Sequence, residues 1–179
     1  ELLKIFILVF PEFKNIHRLK NFKIIKNNIE ILKILLLSIL LVDLKNNHEY
    51  FSHKYKISND LKDQLNLIAK NFATLQLDKK FFSTDLKKNI YFYGKEHLIA
   101  LNILNFSVNG KIKLNDYKII LNKIKDFDIP KFIFDGNFLK ANGMQEGSLI
   151  GKTLKLIESE WLKNDFKISE KRALEIIEK

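Results

Sequence analysis

The sequence predicts an all-α protein, a helical body followed by a small helical tail. Three observations point there. Apolar residues recur at three- and four-residue spacing almost throughout, only two prolines and six glycines interrupt 179 residues, and no segment sustains the strict alternation of a half-buried strand. With breakers this scarce, loops are short. The chain is 46% hydrophobic, enough for the core of one ordinary domain or two small helical ones.

The elements follow in order. "LLKIFILVF" (2–10) is a first apolar helix, stopped at Pro11, which has no N–H to donate. Residues 14–26 place Lys20, Lys23 and Lys26 at i+3 spacing, with Ile16, Leu19 and Phe22 opposite. A strongly apolar helix follows at about 29–44. It is read as a buried core helix, because Glu30 and Lys33 lie inside it and a membrane span needs roughly 20 predominantly apolar residues. The 2–10 stretch is shorter still and is not read as a secretory signal. "KNNHEYFSHKYKISND" (45–60) reads as polar and turn-rich, ending in the N-cap cluster Ser58-Asn59-Asp60. Residues 61–76 then set Leu61, Leu65, Ile68 and Phe72 on one stripe.

Asn109-Gly110 is the one hairpin signal. The segments on either side carry helical stripes, so two antiparallel helices joined at Gly110 are expected. "DFDIPKFIF" (126–134) is the boundary, since the residue before Pro130 is pushed out of helical geometry. The body is then 1–128 and the tail 129–179. The tail reads as a short helix ending at Gly143, a turn, a long helix from about 148 to 164, and a terminal helix from 169. No internal repeat is visible.

There is no cysteine, which excludes disulfides, zinc thiolate sites and thiol catalysis and agrees with a reducing cytoplasm. The net charge of +10 and pI near 9.6 favour an anionic partner, nucleic acid first. Residues 131–179 are nearly balanced, so the excess lies in the first two thirds. Arg18 and Arg172 are the only arginines among 31 basic residues, a pattern of AT-rich codon usage that also makes a plain solvated lysine surface a fair reading. The scarcity of arginine argues against bidentate reading of bases in a groove. Lys14, His17, Arg18, Lys20, Lys23 and Lys26 could track a phosphate backbone, as could Lys54 and Lys56 beside Tyr50, Phe51 and Tyr55. Such contacts give salt-sensitive, sequence-independent affinity.

Catalytic patterns fail on spacing. "EGSLIGKT" (146–153) has Glu146 where a P-loop needs its first glycine. His48 and His53 are five apart, not the four that puts two zinc ligands on one helical face. Asp126 and Asp128 resemble a magnesium-binding pair, but they close a lysine-rich helix and precede a proline instead of lying on a strand. No Ser, His and Asp cluster to activate a nucleophile.

"PKFIFDGNFLKANGMQEGSLIGKTLKLIESEWLKNDF" (130–166) resembles the C-terminal tail of class II tRNA nucleotidyltransferases and bacterial poly(A) polymerases, through Pro130, Gly136, Leu139, Gly143, Gly147, Gly151, Trp161 and Phe166. Asn137 and Ser148 depart from the aspartate and proline usual in that family. Upstream, "KYKISNDLKDQL", "ILVFPEFKNIHRL" and "ILKILLLSILL" resemble the family's neck and body segments, so the likeness covers roughly residues 7 to 166. The family's Gly-Ser turn followed by an Asp-x-Asp metal pair, and its Glu-Asp-x-x-Arg templating element, do not occur in this sequence. The resemblance therefore implies a neck, body and tail that hold tRNA or another RNA, with magnesium and ATP or CTP acting only through a catalytic head outside this chain. The alternative is a non-catalytic helical interaction module, or a degenerate remnant, with no RNA role. Within the tail, Gly143 is expected to end one helix, Gly147 and Ser148 to open the next, and Gly151 to let the two pack closely. The exposed N–H groups there would meet solvent or an RNA phosphate, with Lys152 and Lys155 as helpers.

Overall fold

A computed structural model describes residues 2–26, 33–78, 80–145 and 147–177. Among the described residues there are eleven α-helices and no strand. The chain divides between Phe127 and Asp128 into two compact units.

In the first unit, α1 (Leu2–Val9) is stopped by Pro11, which opens a 3-10 segment (Pro11–Arg18) running into α2 (Leu19–Ile25). The apolar helix α3 (Lys33–Leu41) is shorter at its end than its hydrophobicity suggests, and its expected start at residues 29–32 lies outside the described residues, as does Glu146. The stretch read as turn-rich contains a helix, α4 (Asn47–Tyr55), because His48, Phe51 and Ser52 are buried at helical spacing on its inner face. Ser58 then caps α5 (Asn59–Leu77), its hydroxyl accepting from the Leu61 N–H at 3.4 Å. A further helix, α6 (Leu86–Tyr93), meets α7 (Lys95–Val108) at Gly94, whose φ of +81° is a left-handed conformation suited to glycine. As expected, α7 and α8 (Leu114–Asp126) pack as a pair around the Gly110 turn. Helix α7 is apolar nearly all round because it is central, with Leu98, Leu101, Ile103 and Leu104 buried against α2, α3, α5, α6 and α8.

The end of α3 sets a problem that its neighbours solve. Leu41 and Val42 are fully buried, so the last carbonyls of the helix have no water to bond. Arg18 Nη1 donates to the carbonyls of Val42 (2.6 Å) and Ile39 (3.1 Å), Asn15 donates to Leu40 (3.2 Å), and Asn47 donates to Leu41 (3.2 Å) and to Glu12 (2.8 Å). A cation at a helix C-terminus also meets the negative end of the helix dipole.

The second unit is built on α9 (Gly136–Ala141), α10 (Ser148–Lys163) and α11 (Glu170–Ile177) around Phe134, Leu139, Ile157 and Ala173. Asp135 caps α9, accepting from the Phe138 N–H at 2.8 Å. Gly143, at φ +90°, ends it. Its N–H reaches the Lys140 carbonyl (3.1 Å) and that of Met144 reaches Leu139 (3.1 Å), closing a Schellman turn with Met144 on the core. One expectation needs correcting. Gly151 does not permit close packing: a Cβ there would meet nothing within 4 Å, because it lies on the exposed face of α10 with Ser148, Lys152 and Lys155. At Gly136 an added Cβ would stand 3.6 Å from Ile150, an ordinary van der Waals contact, so no close helix approach depends on that glycine either.

Replacing Arg18 with Met keeps the apolar stem but strands two buried carbonyls. The variant is expected to lose roughly 1–3 kcal/mol, read as a lower urea midpoint at unchanged slope. A midpoint equal to that of the parent chain would show that the guanidinium does not cap α3.

Candidate nucleic-acid interface

The residues expected to meet RNA fall into three sets according to what each already touches. Lys14, Arg18 and Lys54 belong to a network around two carboxylates. Arg18 is 8% exposed and committed to the carbonyls of α3, which corrects its assignment as a phosphate contact. Asn15, Arg18, Phe22 and Ile25 form one buried stripe, and that stripe, not the run of basic residues, decides where position 18 points. Lys54 lies 2.7 Å from Glu12 and over the rings of Tyr55 (5.2 Å) and Tyr50 (5.9 Å), while Lys14 is 3.4 Å from Asp43. Both lysines are exposed, yet each has its charge offset by an internal partner.

Lys20, Lys23 and Lys56 make up the second set. The first two are exposed on α2; Lys56 is exposed at the C-terminal cap of α4, in a left-handed conformation at φ +48°. The third set lies in the second unit. Gly147, at φ +150°, is the N-cap of α10 and brings no side chain of its own to cap it; among the described residues no side-chain cap is seen there. Ser148, Gly151, Lys152 and Lys155 follow at i, i+3, i+4 and i+7, all exposed, so they make one helical face.

Neither Glu12 nor Asp43 was singled out from the sequence, because acidic residues inside basic segments read as solvated. Burial pushes the Glu12 carboxyl up, but hydrogen bonds from Lys54, its own backbone and Tyr55 outweigh it and hold the group below its ordinary 4.5. Burial likewise opposes ionisation of Asp43, and the N–H groups of Lys45 (2.8 Å) and Asn47 (3.3 Å), with Lys14, win and hold it below 3.8. Burial lowers His48 against the opposing pull of Glu49 and Asp43, and lowers His97, which is 3.0 Å from Asn71.

The second unit also holds a cleft of about 680 Å³, walled by Pro130, Phe134, Trp161 and Phe166 and flanked by Lys131 and Lys167. Trp161 meets Phe166 edge-on at 4.9 Å and Phe132 at 5.3 Å. Asp165 (φ +52°) and Phe166 (φ +64°) are both left-handed, a conformation costing roughly 1–3 kcal/mol per non-glycine residue. The N–H of Phe166, bonded to the Trp161 carbonyl at 2.9 Å, closes the end of α10 over that cost.

The chain matches no protein-family model, no curated protein and no solved structure. Among the described residues no cluster of three His, Cys, Asp or Glu could hold a metal ion, and no helix is long and apolar enough to cross a membrane. Asp126 and Asp128 are both exposed at and just beyond the end of α8.

Stability should fall in two stages on acidification. His48 and His97 have folded pKa values below 6.5, so their contribution is complete above that pH and is lost as pH falls through the folded values. Glu12 and Asp43 follow the same sign below 4.5 and 3.8. Melting temperature measured from pH 8 to 3 is expected to be level above about 6.5, to drop below it, and to drop again below about 4.5. Replacing both histidines with Gln should flatten only the first drop; an unchanged first drop would assign it elsewhere.

Proposed function

We propose that this chain holds RNA, tRNA being the first candidate, as the neck, body and tail of a nucleotidyltransferase of the CCA-adding or poly(A) polymerase kind. It acts in the cytoplasm by setting the distance between the gripped part of the RNA and its 3′ end. Nucleotide addition, with its magnesium and its ATP or CTP, then belongs to a catalytic head that this chain does not contain. The observation that carries the reading is the exposed face of α10, where N–H groups at Gly147 and Ser148 adjoin Lys152 and Lys155. That face lies within the segment whose sequence resembles the family tail. A helix N-terminus beside lysines favours phosphate through aligned N–H groups and the helix dipole. Lys20, Lys23 and Lys56 add exposed charge in the body.

The helix α1 also favours an interaction module. Ile5, Leu8 and Val9 are 57%, 84% and 58% exposed, an apolar surface offered to a protein partner. The RNA-holding reading also requires a catalytic head, on the same polypeptide or another, so the two readings meet at that helix.

Binding of the isolated chain to a tRNA transcript, competed by a hairpin of equal length, is expected to be micromolar or tighter, to prefer tRNA and to weaken steeply with salt. Lys152→Glu with Lys155→Glu should weaken it about tenfold or more. Gly151→Ala, whose new Cβ meets nothing inside the protein, should stay folded yet weaken binding if RNA lies on that face. Equal, weak binding to both RNAs would leave the positive charge as codon bias alone.

Incubated with tRNA, magnesium and ATP or CTP, the isolated chain is expected to transfer no AMP or CMP. Measurable incorporation would overturn the assignment of the chemistry to residues outside this sequence.

A further inference from the structure

We infer that the cleft of the second unit takes one unpaired nucleotide of the bound RNA, its base against the partly exposed Phe166 ring that packs on buried Trp161, and its flanking phosphates on Lys131 and Lys167. The inference rests on the RNA reading above and adds a site to it. The cleft, about 680 Å³, falls in the range of roughly 300–1,000 Å³ that small-ligand sites occupy. Its lining mixes apolar and aromatic walls with Lys131, Lys167 and Arg172 and includes no Asp or Glu. Arg172 is already held by Glu160 (3.0 Å) and Glu175 (2.8 Å), which removes it as a free cation and makes it a brace between α10 and α11. Lys131 and Lys167 are different. Both are exposed, and neither is paired with a carboxylate among the described residues.

Those two charges sit on separate segments, one leading into α9 and one following α10. Cations on two segments suit a backbone crossing the cleft better than a single anionic head group. An aromatic wall between them suits a base, since every base offers a flat face and stacking tolerates any sequence. The strained pair Asp165 and Phe166 supports the same assignment. Bulky residues rarely adopt a left-handed backbone, and here it fixes the Phe166 ring edge-on to Trp161 as part of the wall.

Trp161 is the only tryptophan of the chain, so its emission reports directly on the cleft. The full chain would be titrated with a single-stranded RNA hexamer, a blunt duplex of the same sequence, AMP, and inorganic phosphate, in parallel with tRNA binding. Saturable quenching by the hexamer is expected, about tenfold tighter than any response to the duplex. Lys131→Ala with Lys167→Ala should weaken it about tenfold with circular dichroism unchanged, since both positions are exposed. Equal quenching by the duplex or by phosphate, or quenching that survives in the double variant, would overturn the assignment. Quenching by AMP but not by the hexamer would also overturn it, pointing to a free nucleotide. Silent Trp161 emission with tRNA still bound would sink the cleft alone, whereas silent emission without tRNA binding would remove the RNA reading with it.

Discussion

The constraint on which the first unit depends is the buried end of α3. Leu41 and Val42 carry the chain into the core, and each carbonyl left unbonded there would cost roughly 1–3 kcal/mol, against a total domain stability of about 5–15 kcal/mol. Asn15, Arg18 and Asn47 remove that cost, and in doing so they fix the 3-10 segment and α4 against α3. The arrangement continues outward. The Glu12 carbonyl accepts from Asn47 and its carboxylate from Lys54 and Tyr55, so a buried polar layer separates α3 from the charged surface. Basic residues that look like a phosphate-binding run are partly consumed by this layer, which leaves Lys20, Lys23 and Lys56 as the exposed candidates of the first unit outside it.

Much of the architecture was legible because helical periodicity and breakers agree. The α7–α8 pair around Gly110, the Ser58 cap of α5 and the three tail helices all follow from local pattern and turn chemistry. Helix α4 was not legible as a helix, since its polar residues favour turns and only tertiary burial of His48, Phe51 and Ser52 holds it. Arg18 was misassigned because charge is read locally, whereas its position on the Asn15–Phe22–Ile25 stripe is what turns it inward. Gly151 was misassigned for a related reason. A glycine near a helix crossing suggests close contact, but the contacts of α10 lie on the Ile157–Trp161 side. The cleft joins residues 130–134 to 161–172, and no local pattern announces that meeting.

The tail concentrates its order in a few devices. Two Schellman-type closures, at Gly143 and at Asp165–Phe166, end α9 and α10, one with a residue that adopts the left-handed region freely and one with two that resist it. Among the described residues a small core of Phe134, Leu139, Ile157 and Ala173, extended by partly buried neighbours, is held by helices whose ends are tied in this way.

The forked guanidinium of Arg18 has an evolutionary reading. When mutation pressure drives codons toward lysine, an arginine persists where an ammonium cannot substitute, at sites that need several hydrogen bonds in a fixed plane. Both arginines of this chain sit at such sites. Arg18 spans two carbonyls, and Arg172 spans two glutamates. In this lysine-rich chain the two arginines mark joints between elements, where one side chain must meet more than one acceptor.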